Sequence, residues 1–261
     1  MTTTTESRHP STALADSWAM LRRNLVHITR SPDTMVMALA LPIMLMVLFV
    51  YVFGGAIATD TAYIDYVVPG IVLLCAAFGS STTAVSVSSD MTDGVIDRFR
   101  TLPIARSAVV NGHVLASVVR NLVTTAVVVA VALLMGFRPT ADPLRWLAAI
   151  ALVALFVLAL SYVSTALGLL AANPEAAGGF TFAILFLPYV SSAFVPTDTM
   201  PTWLHWFAAN QPVTPIIETV RGLLTGTPIG DSAWLAVGWC VAFTVVGFAA
   251  ATTLYRRRTS R

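Results

Sequence analysis

The sequence contains no lysine: all 15 basic residues are arginine. A G-x-x-x-x-G-K-[ST] loop needs that lysine to reach bound phosphates, so no nucleotide-hydrolysing site of that kind can form in this chain. Charge of either sign is scarce. Charged residues make up 11% of the chain, against about 25% in soluble domains. Hydrophobic residues make up 57%, and the mean hydropathy is +0.79. Cysteine is nearly absent as well. Cys75 and Cys240 lie far apart inside apolar runs, so they build neither a disulfide framework nor a C-x-x-C metal knuckle and read as small buried hydrophobes. The four histidines (His9, His27, His113, His205) are scattered. No H-E-x-x-H, G-x-S-x-G or Cys/His pairing is present, so no catalytic residue, metal site or cofactor site is expected. The intramembrane carboxylates and paired broken helices of an ion-driven carrier are missing too. No internal repeat is apparent, and no nucleic-acid partner is expected.

What the chain does have is long apolar runs. Six are nearly free of charge and of a length to cross a bilayer: 34–56, 66–89, 109–137, 147–172, 178–195 and 234–255. The first and fourth are the clearest. Arg120 interrupts the third, and the short fifth contains Pro188, which kinks it or leaves it nearly upright. The expectation is an all-α integral membrane protein, a single transmembrane domain over 1–261 with six spans. The leader ahead of the first run is too long for a cleaved signal peptide, although Ala56, Ile57 and Ala58 resemble a cleavage site.

The arginines set the orientation. Arg8, Arg22, Arg23 and Arg30 precede the first run, Arg98, Arg100 and Arg106 follow the second, and Arg256, Arg257, Arg258 and Arg261 follow the sixth. With six spans these segments share one side, which carries 11 arginines against 3 (Arg138, Arg145, Arg221) on the other. The positive-inside rule makes the richer side the cytoplasm, with both termini inside the plasma (inner) membrane.

Between the runs, periodicity suggests further elements. In 11–30, Leu14, Trp18, Leu21, Leu25 and Ile28 line one helical face, as in a helix lying in the membrane surface. Arg22 and Arg23 on it serve either as plain anchors or as contacts for a cytoplasmic partner. In 199–225, TWLHWFAAN and PIIETVRGLL predict two short helices dipping into the outer leaflet, their backbone covered by protein. Glu218 and Arg221, three apart, either form a local salt bridge or help close an outer gate. Arg120 either snorkels to the inner surface or contacts a headgroup or a neighbouring helix. The polar stripe GSSTTAVSVSS, with Ser80, Ser81 and Thr82, serves helix pairing or lines a substrate path.

Two stretches carry a resemblance: GVIDRFRTLPIARSAVV after the second run, and NQPVTPIIETVRGLLTG before the sixth. With the amphipathic leader and six spans, they resemble the type-2 ABC exporter permeases, in particular the bacterial daunorubicin-resistance-like branch. The second stretch follows the pattern N-P-[LV]-T-P…[RG]-G-L-L-x-G, with Gln211 set between Asn210 and Pro212. The resemblance implies a permease half that pairs with a second, identical or similar, permease subunit among membrane lipid. It also implies a separate ABC ATP-binding subunit that holds ATP and Mg. It makes 94–105 the coupling helix that docks on that subunit, with Asp97, Arg98, Arg100 and Leu102 as contacts. The implied cargo is a drug, antibiotic or hydrophobic lipid. A non-transporting membrane scaffold and an ion-driven carrier are the competing expectations.

Overall fold

The computed structural model describes residues 32–57, 59, 61–93 and 106–259. Eight α-helices make up the described residues, with no strand among them: α1 Pro32–Val47, α2 Tyr63–Thr92, α3 Arg106–Met135, α4 Pro143–Leu170, α5 Pro174–Phe186, α6 Thr202–Asn210, α7 Val213–Thr225 and α8 Ser232–Thr259. Four of them, α2, α3, α4 and α8, have 28 to 30 residues. At about 1.5 Å per residue each exceeds the roughly 30 Å hydrocarbon core. These four are long and apolar enough to cross a membrane, and Leu39–Phe53 and Pro174–Val190 are shorter apolar helices.

Local chemistry sets the boundaries. Asp142 caps α4, its side chain accepting from the Arg145 N–H at 2.7 Å, and Asn173 caps α5, accepting from the Ala176 N–H at 2.8 Å. In both helices proline follows directly at the first position, where its missing N–H costs nothing. α7 stops at Gly226, whose φ of 77° lies in the left-handed region that a side chain disfavours.

α2 is the hub. It packs on α1, α3, α4, α5 and α7, and α4 in turn packs on α8. Most of α2 is buried, including Ser80, Ser81, Thr83 and Ser88 from its polar stripe. The outward faces of the other helices are apolar: Met44 on α1, Tyr51 and Val52 in the turn that follows it, Leu133 and Leu134 on α3, and Trp234, Val245 and Val246 on α8 are exposed. Such surface is tolerable only against lipid or another apolar surface.

The first run differs from the simple span expected, and the fifth breaks at Pro188, where a kink was one of two expectations. The helix of the first passes from α1 into a π-helical turn, Leu48–Phe53, and turns at Gly54. α5 tightens into a 3-10 turn, Leu187–Val190, at Pro188, and the chain is not helical from Ser191 to Val195. Proline offers no N–H to continue the α pattern, so the helix gives way there. The third run continues through Arg120 as one helix. α6 coincides with TWLHWFAAN, and Trp203, Trp206 and Phe207 on it are exposed. α7 buries Val213, Ile216, Ile217, Val220 and Leu224 at spacings of three and four.

Candidate functional site

The break after α5 leaves backbone carbonyls without helical partners, inside a chain built for lipid. Side chains from three other segments meet them. Tyr63 Oη donates to Phe194 O at 2.9 Å and Tyr66 Oη to Ser192 O at 3.0 Å. Gln211 Nε2 donates to Leu187 O at 3.1 Å and to Val190 O at 3.0 Å. From α7, Arg221 Nη2 donates to the same Ser192 O, and Arg221 Nε donates to Tyr66 O at 3.1 Å. Its guanidinium lies 3.8 Å from the centre of the Tyr66 ring, a cation–π stack. Irregular backbone at membrane depth survives only when protein covers it in this way.

This arrangement corrects the expected Glu218–Arg221 salt bridge, which does not form. Arg221 is only 8% exposed and turns toward α2, while Glu218 Oε2 accepts from Ser232 Oγ at 3.0 Å at the start of α8. A buried guanidinium has more to gain from two carbonyls and a ring face than from one half-exposed carboxylate that water also solvates. Tyr63, Tyr66 and Gln211 escaped the sequence reading. Two tyrosines three apart at the start of an apolar run were the available signal, because a buried phenol needs a hydrogen-bond acceptor.

A second polar cluster lies midway along α2 and α3. Arg120 turns to a neighbouring helix, one of the contacts expected of it. Its Nη2 crosses to α2 and donates to Gly79 O at 2.8 Å, Thr82 Oγ1 at 2.6 Å and Thr83 Oγ1 at 3.3 Å. Arg120 is the fifteenth residue of a 30-residue helix, so the inner end lies about 20 Å away, whereas α2 is adjacent. Behind it, Thr83 Oγ1 and Ser161 Oγ donate to Ser117 Oγ at 2.8 and 2.9 Å, tying α2, α3 and α4 together. Ser81 returns to its own helix at Ala77 O, and Ser80 Oγ has no partner among the described residues.

Gly79 makes the α2–α3 approach possible, since a Cβ there would fall on the Asn121 side-chain amide. Gly79→Val should therefore lower stability by about 1–3 kcal/mol through overpacking. Thermal melting of the purified protein checks this, and a melting midpoint equal to that of the parent chain would refute the close contact.

At the expected inner end, His113 Nε2 lies 3.2 Å from Asp90 Oδ2, joining the end of α2 to α3. Arg258 Nη2 donates to Ala171 O at 2.9 Å, meeting a carbonyl at the end of α4. Arg22, Arg23, Asp97, Arg98, Arg100 and Leu102, with the segments 11–30 and 94–105 that hold them, lie outside the described residues. Among the described residues no group of His, Cys, Asp and Glu side chains could hold a metal ion.

Comparison with known proteins finds relatives of this chain. A family model described as ABC-2 type transporter matches residues 16–225. The daunorubicin resistance ABC transporter permease protein DrrB1 of Streptomyces coeruleorubidus is 31% identical over 219 residues, covering 83% of this chain and 77% of the relative. The probable doxorubicin resistance ABC transporter permease protein DrrC of Mycobacterium tuberculosis (strain ATCC 25618 / H37Rv) is 28% identical over 250 residues, covering 92% and 90%. The putative transport permease ycf38 of Porphyra purpurea is 24% identical over 215 residues, covering 80% and 74%.

Proposed function

The chain belongs to the ABC-2 type transporter family, and from that premise we propose that it moves a hydrophobic or amphipathic drug, antibiotic or lipid out of the cell. It is the transmembrane permease subunit of an ATP-driven ABC exporter. The observation that carries the reading is the likeness to drug-resistance permeases over most of both chains. A chain without lysine fits that division of labour, because ATP and Mg then belong to a separate ATP-binding subunit.

Within that reading the protein is multi-pass. The four long helices and the two shorter apolar ones together supply six spans, and the arginine bias supports both termini in the cytoplasm. Two permease subunits, identical or similar, pair among membrane lipid. The segment 94–105 docks on the ATP-binding subunit through Asp97, Arg98, Arg100 and Leu102, with Arg22 and Arg23 beside it. Arg221 and Glu218 hold the outer gate between α2, the loop after α5, and α8. Ser80, Ser81 and Thr82 serve close helix pairing along α2.

A tagged chain purified from its native membrane should bring down an ATP-binding subunit, and the pair should show ATP-dependent efflux across a compound panel. A chain that purifies alone and leaves every compound's accumulation unchanged on deletion is not an exporter subunit. For the gate, Glu218→Ala should alter the efflux rate with less than about 1 kcal/mol of lost stability, since one half-exposed hydrogen bond is all it removes. An unchanged efflux rate would reduce Glu218 to a local tie between α7 and α8.

A further inference from the structure

An arginine offers five N–H groups on three nitrogens. Every hydrogen bond that the Arg120 guanidinium makes among the described residues uses one of these nitrogens, Nη2. The three N–H groups on Nε and Nη1 have no partner there, and no described Asp or Glu pairs with the guanidinium. A cation midway along a membrane helix with no counter-ion among the described residues is a costly arrangement that packing alone does not require. Thr82 donates its own hydroxyl hydrogen to Gly79 O at 2.8 Å and accepts from Arg120 with a lone pair. Helix staples made for stability alone satisfy their polar groups more fully.

Arg120 is also reachable. It is half-buried, as is Thr82. Along the same edge of α2, Ser86 is exposed and Ser89 half-buried. Thr82, Ser86 and Ser89 recur at spacings of four and three, so they form one strip. At about 1.5 Å per residue the strip runs roughly 10 Å, from near the end of α2 to its middle. Hydroxyls facing outward on a membrane helix gain nothing from lipid tails, yet they replace water for a polar headgroup moving along them. The strip ends at Arg120, which has no carboxylate partner among the described residues.

We propose that Arg120, with Thr82, Ser86 and Ser89, is an intramembrane binding site for the oxyanion headgroup of an amphiphile, a phosphate or a carboxylate, whose hydrocarbon tail stays in lipid. This rests on the reading of the chain as an export permease and adds the charge class of what it carries. Arg120 supplies the charge, and the hydroxyls supply stepwise hydrogen bonds from the inner end of α2. Cationic amphiphiles of the same chain length are excluded by like charge in a weakly screening medium.

The test is ATP-independent binding to the intact complex in dodecyl maltoside, with radiolabelled dodecyl phosphate as the probe. Dodecanoate and dodecyltrimethylammonium serve as competitors of equal chain length. Saturable binding of dodecyl phosphate, and no competition by dodecyltrimethylammonium, is expected; whether dodecanoate competes as well as dodecyl phosphate tells carboxylate from phosphate. Arg120→Gln should weaken dodecyl phosphate binding about tenfold or more, as loss of one charge-assisted contact implies. Arg120→Lys should restore most of it. Ser86→Val, at an exposed position that folding does not depend on, should weaken binding about threefold, about half a decade of affinity, and it decides the matter if Arg120→Gln does not fold. Wild-type affinity for dodecyl phosphate in both Arg120→Gln and Ser86→Val, or equally tight binding of dodecyltrimethylammonium, would overturn the site. Because no ATP is used, export that persists with Arg120-independent binding overturns this inference alone. Arg120-dependent binding in a complex that exports nothing supports the site and overturns the export reading alone.

Discussion

Replacing Arg98 and Arg100 together by glutamate should abolish ATP-driven export while leaving insertion and the melting temperature of the chain unchanged. Charge-assisted contacts are worth about 1.5–3 kcal/mol each. Losing two therefore costs roughly 100-fold or more in docking affinity, at about 1.4 kcal/mol per decade. Reversal adds repulsion where attraction stood, so single substitution to alanine should be milder. Co-purification of the ATP-binding subunit and its ATPase rate in membrane vesicles measure the effect. A double variant that keeps its partner and stimulates ATPase as before would remove 94–105 from the docking surface and leave its arginines as orientation signals only. Reversing Arg106 instead, three residues beyond Pro103, is the control for topology, since it changes the same charge balance.

Arg221→Met is the second substitution with a large effect, and here the structure supplies the reason. The change removes the donors to Tyr66 O and Ser192 O and the stack over the Tyr66 ring. Ser192 O keeps Tyr66 Oη, so not every acceptor is orphaned. Two hydrogen bonds from a charged group and a desolvated cation–π contact together suggest a loss of about 3 kcal/mol. For a chain of this size that corresponds to a melting midpoint lower by roughly 6–12 °C. Arg221→Lys should recover little, because a single ammonium on a flexible stem cannot fork to two carbonyls and stack as well. Glu218→Ala is the comparison, with the small effect given above. Equal melting points for Arg221→Met and Glu218→Ala would show that the contacts to α2 carry no energy.

The two arginines show where reading the sequence stops. That Arg120 and Arg221 are exceptional follows from the sequence, because an ionisable group within or beside an apolar run stands out against so few charges. Their neighbours were not legible. Arg221 had a carboxylate one helical turn away and still pairs with carbonyls 29 and 155 residues distant. Arg120 had the less apolar half of its helix between it and the inner surface, and instead reaches residues 37 to 41 positions back. Gln211 looked like an insertion that spoils a motif. In the fold it donates to two carbonyls of the broken α5 and is 4% exposed.

By itself the sequence determined the membrane setting, the helical class, the places of the long helices and of α6 and α7, and the side expected to face the cytoplasm. These properties depend on hydrophobic run length, a 3.6-residue period and the count of arginines in loops, all of which are local or additive. The tertiary structure alone decided which buried polar groups meet. A hydrogen bond inside a low-dielectric interior goes to whichever unpaired carbonyl or hydroxyl a neighbouring helix brings within about 3 Å, and that neighbour is set by packing around α2 rather than by spacing along the chain.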